Sequence, residues 1–168
     1  STAEHRCIMS GETQTSIRYA DILGMIPSII GKVELVYEGE QEGAAFVAER
    51  LIGSASKTLF DNYFPVIKKL KHEDDKDAYD AIMQWFFEQS SFELMDDGTE
   101  VEYSSALNDI APLDELISTY MPEAIAEDRL FIKEFMLWAL VEYKKLNNKR
   151  ILKGFEFKDS YGAYLSNL

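Results

Sequence analysis

Cysteine and histidine are nearly missing from this chain and basic side chains are outnumbered, and each shortage removes a class of protein. The one cysteine, Cys7, cannot form an intramolecular disulfide, which suits a fold that owes nothing to cross-links and a reducing compartment. The two histidines, His5 and His72, stand far apart, and there is no HExxH and no CxxC, so local spacing assembles no zinc site. No apolar run approaches the roughly 18 residues of a membrane span, and no charged leader followed by an apolar stretch opens the chain. The chain is therefore expected to be soluble and cytoplasmic. Lys and Arg number 17 against 30 Asp and Glu, a formal net charge of -13. Approach to nucleic-acid phosphates or anionic lipid would begin with repulsion instead of counterion release, so neither is an expected partner.

Nucleotide and catalytic signatures are absent too. There is no GxxxxGK(S/T) and no GxGxxG, and the 9 glycines do not bunch ahead of a helix. Asp74-Asp75-Lys76-Asp77 has a superficial likeness to a calcium loop, but Tyr79 falls where an oxygen ligand belongs and no glycine makes the sharp turn, so a solvated charge cluster is expected. Cys7 with His5 is the one close nucleophile and base pair, and on a helix positions two apart point to different faces. Among 30 acidic residues some pair lies at any chosen separation, so carboxylate pairs specify no hydrolase.

What is present is enough apolar material for one core. The chain has 168 residues, 46% of them hydrophobic and 12% aromatic, which argues against disorder for most of its length. Helical spacing dominates, and the fold class expected is all-α, or mostly α: an irregular multi-helix bundle around a central hydrophobic helix near residues 127–146. A long amphipathic helix is expected from Gly43 to Phe64, with Val47, Leu51, Ala55 and Leu59 repeating every four residues as its seam beside Ile52, Phe60 and Tyr63. Pro65 stops it, and Val66 to Asp77 reads as an exposed, highly charged connector. Asp77 is placed to cap a helix with Tyr79, Ile82, Met83 and Phe86 on one face, ended by Ser90-Ser91. After a turn at Asp96-Asp97-Gly98, Thr99 and Glu102 match a capping box opening a short helix through Leu107. Pro112 starts another, striped by Leu113, Leu116, Ile117 and Tyr120. The central helix carries Phe131, Phe135, Trp138 and Val141 on one seam, widened by Leu130, Leu137 and Leu140. Arg150 to Leu168 is aromatic but broken by Gly154 and Gly162, so it docks as one helix or irregularly.

One stretch stands apart. From Tyr19 to Gly43 the sequence reads YADILGMIPSIIGKVELVYEGEQEG, setting Glu34, Glu38, Glu40 and Glu42 among apolar residues with glycines at 31, 39 and 43. Val33, Leu35 and Tyr37 alternate like a strand, while Ile29, Val33, Val36 and Tyr37 fit a helix. The helix is preferred, because no comparable strand stands nearby to pair with it. Two readings remain for the stretch: a short helix with an acidic outer face and glycine hinges, or a contact surface between subunits or domains.

Ala20-Asp21, Ile26-Pro27-Ser28-Ile29, Gly31-Lys32-Val33-Glu34-Leu35 and Tyr37-Glu38-Gly39-Glu40, followed by Gly43, Val47-Ala48, Leu51-Ile52, Phe60 and Tyr63-Phe64, resemble the region C-terminal to the ATPase core in magnesium-chelatase-like (MoxR-related) AAA+ proteins of bacteria. Ser1 to Arg6 also resembles the helix that ends the AAA+ module. The resemblance covers roughly residues 1–147 and is strongest over 20–64. It implies a parent that couples ATP hydrolysis in a ring to remodelling of a partner protein, with the P-loop, the magnesium-binding acids and the sensor positions all ahead of Ser1. ATP and magnesium are thus implied for the parent and no cofactor for this chain. No catalytic residue of the family carries over. The chain opens Ser1-Thr2-Ala3 without methionine, which fits a processed protein or a segment of a longer one.

The organisation expected from the resemblance is the end of the AAA+ module or a connector at 1–18, a helical C-terminal domain at 19–147 and an aromatic tail at 148–168. The domain is expected to be non-catalytic and to serve oligomer assembly or partner docking, with its own AAA+ module, neighbouring subunits and an unidentified client as partners. Glu34, Tyr37, Glu38 and Glu40 are the candidate contact residues. The rival from another class is a free-standing acidic adaptor that attracts basic proteins by electrostatic steering. A small hydrolase using two carboxylates is a third.

Overall fold

The computed structural model describes residues 2–13, 16–30, 43–67 and 77–160. In chain order they form α1 (Thr2–Ser10), α2 (Tyr19–Leu23), α3 (Ile26–Ile30), α4 (Ala44–Tyr63), α5 (Asp80–Gln89), β1 (Phe92–Met95), α6 (Glu100–Asn108), α7 (Ala111–Tyr120), α8 (Ala126–Glu142), β2 (Leu146–Ile151) and β3 (Gly154–Asp159). The protein is mostly helical, and the central helix is where the sequence puts it: every residue of α8 from Lys133 to Leu140 is buried.

Local chemistry sets the helix ends. Thr99 Oγ1 accepts the Glu102 N–H while the Glu102 carboxylate accepts the Thr99 N–H at 2.8 Å, the capping box expected for α6. Pro112 lies in the first turn of α7, where a missing N–H costs nothing. Asp77 does not cap α5 as expected: Tyr79 is the N-cap and no side chain caps the first turn, while Asp77 Oδ1 accepts the Tyr79 N–H at 3.3 Å ahead of the helix; Tyr79, Ile82 and Phe86 are fully buried. Phe60, also fully buried, gathers Phe64, Tyr79 and Phe135 around it, with ring centroids at 4.9, 5.7 and 6.3 Å. Burying one such side chain contributes about 2–3 kcal/mol.

Two further expectations are corrected. First, the fold is not all-α: β1, β3 and β2 form a three-stranded antiparallel sheet in that order, with Phe92 opposite Phe157 and Asn148 opposite Phe157 on the other side. The central helix stops at Glu142, short of Leu146, because Lys144 takes the left-handed conformation (φ 58°) and the Lys145 N–H turns back to the Leu140 carbonyl. Residues 150–160, left open by the sequence, are therefore mostly strand. Phe155 and Phe157 pack edge-on against Trp138 of α8, at 4.7 and 5.5 Å. Gly154 is the one residue that fits its place, since a Cβ there would lie 2.1 Å from the Leu94 carbonyl oxygen of the neighbouring strand.

Second, α4 buries a different face from the one its large apolar residues mark. Ala48, Gly53, Ser56 and Phe60 face inward, while Leu51 and Leu59 are 64% and 48% exposed. Small residues win because α4 lies close against α8 and α3. The Glu142 side chain occupies the space a Cβ at Gly53 would fill, and Ser56 Oγ shares a 2.7 Å hydrogen bond with the Tyr19 hydroxyl. Phe87, next to buried Phe86, is likewise outward, at 63% exposed. The connector expected from Val66 is described only to residue 67, and Val66 is exposed.

Candidate functional site

A set of polar contacts joins the N-terminal helices to the body. Gly11, in the left-handed region at φ 72°, closes α1, and Arg18, in extended conformation, leads into α2. Arg18 is 1% exposed, and its guanidinium reaches backbone instead of a buried carboxylate: Nη1 donates to the Asp96 carbonyl at 3.2 Å and Nη2 to the Gly98 carbonyl at 2.9 Å. Glu100 adds a charge at 3.6 Å, and the guanidinium lies 4.2 Å above the centre of the Tyr103 ring. A buried cation is costly unless paired and hydrogen-bonded, and this one has both a nearby acid and an aromatic face.

Beneath it sits Glu134, 2% exposed, on the central helix. Its carboxylate accepts the Tyr19 N–H at 2.7 Å, the Ala20 N–H at 3.3 Å and the Tyr103 hydroxyl at 2.8 Å. The first N–H groups of α2 have no partner within their own helix, and this carboxylate satisfies two of them from 114 and 115 residues away. Burial raises the Glu134 pKa above its ordinary value, against the lowering effect of those hydrogen bonds. Burial and the adjacent Glu134 also raise the Tyr103 hydroxyl. Tyr19 completes the junction by stacking on Trp138 at 5.1 Å.

A cleft of about 480 Å³ opens beside the junction, walled by His5, Arg6 and Met9 of α1, Asp21 of α2, and Asp96 with Asp97. Its acids are already engaged: Asp21 with Arg6 at 3.0 Å, Asp96 with Arg150 at 2.7 Å and Asp97 with Lys153 at 3.1 Å. Burial nonetheless raises Asp96 above the usual carboxylate range, opposed by Arg150. Cys7 is buried, and its thiol donates to the Glu12 carbonyl at 3.2 Å. Among the described residues, no group of three or more His, Cys, Asp and Glu is placed to hold a metal ion, and no helix is long and apolar enough to cross a membrane.

The sequence-predicted contact residues Glu34, Tyr37, Glu38 and Glu40 lie outside the described residues, as do the strand-or-helix stretch at 33–37 and Asp74 to Lys76. Sequence reasoning missed Arg18, Tyr103 and Glu134. One signal was there to find: Lys133 and Glu134 interrupt an otherwise apolar run from Leu130 to Leu140, and charged residues in such a run need partners. Lys133 finds them in Asn108 Oδ1 at 2.6 Å and Asp114 Oδ2. Comparisons with protein-family models, with curated proteins and with solved structures find no match to this chain.

Proposed function

We propose that this chain is a non-catalytic, mostly helical C-terminal domain of a magnesium-chelatase-like, MoxR-related AAA+ ATPase, working in the cytoplasm in ring assembly or partner docking. The observation that carries the reading is the resemblance over residues 20–64, centred on Pro27-Ser28-Ile29 and the run Gly31 to Glu40. The junction supports it. Arg6, Arg18 and Glu134 fasten α1 and α2 to the body, so a motor fused ahead of α1 would swing the whole domain instead of a loose tether. ATP and magnesium belong to that motor, and Glu34, Tyr37, Glu38 and Glu40 to the contact with a neighbouring subunit or client.

Calorimetric titration of the chain with ATP and magnesium is expected to give no heat of binding, and micromolar affinity would sink the reading. In the parent protein, charge reversal at Glu34, Glu38 and Glu40 is expected to weaken assembly or client capture while leaving the melting temperature of this chain nearly unchanged. The adaptor reading draws on one specific observation: from Asp77 to Asp128 there is no lysine or arginine, an acidic surface suited to basic partners. An open reading frame upstream that encodes a P-loop separates the two.

A further inference from the structure

The acidity of this chain is unevenly distributed. Between Lys144 and Lys158 the sequence balance reverses, with Lys144, Lys145, Lys149, Arg150, Lys153 and Lys158 against Glu156 alone, although the fold pairs Lys145 with Asp77 and Lys158 with Glu156, each at 3.0 Å. This stretch contains the β2–β3 hairpin, and β2 is an outer strand, with β3 on one side and, among the described residues, nothing paired on the other. In an antiparallel pair every second residue turns its N–H and C=O away from the partner, so the outer edge of β2 offers a row of unused backbone groups. Asn147, Asn148, Lys149 and Arg150 are all exposed, and at the tip Leu152 is 95% exposed. Arg150 and Lys153 reach Asp96 and Asp97, yet their side chains remain about 60% open to solvent, and such exposed pairs are weakly held.

We propose that the outer edge of β2 is a docking site for an extended acidic segment of a partner protein, which adds to the sheet as a fourth strand and lays an apolar side chain against Leu152. Charge selects the occupant. A second copy of β2 would bring Lys149 and Arg150 against their own likes, which is how lysine on an edge strand blocks self-pairing, whereas an acidic strand meets complementary charge. A nucleic-acid backbone meets the same charge but supplies no N–H ladder to the open carbonyls. The opposite edge strand, β1, carries Glu93 and no basic residue, so it lacks this selectivity. The backbone ladder provides affinity and Leu152 with Lys149 provides preference, as in other strand-addition sites. The inference does not depend on the AAA+ reading.

The probe is a blocked octapeptide in which glutamate alternates with valine, titrated into the isotopically labelled chain and followed by amide chemical shifts. Saturable shifts concentrated on residues 146–152, weakening several-fold as salt is raised, are expected. Leu152→Ser and Lys149→Glu, both at exposed positions, should each weaken binding by about 5-fold or more, and methylating alternate backbone nitrogens of the peptide should weaken it by about 10-fold or more. The proposal is overturned if no saturable shift occurs, if the methylated or a lysine-for-glutamate peptide binds equally well, or if oligothymidylate binds the same residues as tightly.

Discussion

Two long helices of this protein begin from similar sequence patterns and end in opposite situations. In α8 the structure buries every residue from Lys133 to Leu140, around the whole helix, tolerating Lys133 and Glu134 because each is hydrogen-bonded. In α4 the regular stripe of large residues faces water, and the inward face is built from Ala48, Gly53 and Ser56 with Phe60 as its anchor. The difference shows that periodicity identifies a helix more securely than it identifies the buried side. Where backbones approach closely, small residues take the interface, and the larger ones are left outside.

The sharpest way to break that contrast is to cut neighbouring residues on α4. Phe60→Ala is expected to cost about 3–5 kcal/mol in urea denaturation, because a fully enclosed ring leaves a cavity. Leu59→Ala, one position on, marks the low end of the scale, within about 0.5 kcal/mol. A comparable loss from Leu59 would mean that its face is covered after all.

Next in size is the charge inside α8. Glu134→Ala removes the acceptor for Tyr19, Ala20 and Tyr103 together and is expected to cost about 3 kcal/mol by the same measurement. Glu134→Gln keeps the shape and tests the ionisation. Because burial raises the carboxyl pKa in the folded state, its contribution is full below the ordinary value of 4.5 and is lost as pH rises through the raised one. The wild type should therefore gain stability relative to the Gln variant on acidification through that window, and a constant difference across it would show the pKa unshifted. Smaller again is Thr99→Ala, expected to cost about 1 kcal/mol through the lost cap of α6. The Glu102 pKa is lowered chiefly by its backbone hydrogen bond to Thr99, so the stability tied to this cap is present above 4.5 and fades as pH falls through the depressed value.

Much of the helical layout was legible because its signals are local. Thr99 with Glu102, Pro112, Pro65 and the Tyr79–Ile82–Phe86 stripe each act within a few residues, and each sits where the sequence puts it. The sheet was not legible, since β1 is four residues long and its partner lies some sixty positions later, a pairing that no window of periodicity spans. Gly154, which breaks the aromatic pattern of the tail, is what allows β3 to approach β1. The junction was half visible: a charged pair in an apolar helix announces partners but does not say that Tyr19 and Ala20 are among them. The wager on Glu34, Tyr37, Glu38 and Glu40 rests on sequence alone.

The carboxylate of Glu134 holds two backbone amides at the start of α2, sealed under the Arg18–Tyr103 stack. Those amides cannot meet solvent by fraying of the chain end, because the group that holds them belongs to the most enclosed helix of the protein. The N-terminal segment is thus one cooperative unit with the centre, and deuterium should enter at Tyr19 and Ala20 only as slowly as the whole domain opens. A pull applied at Tyr19 would be felt directly at α8.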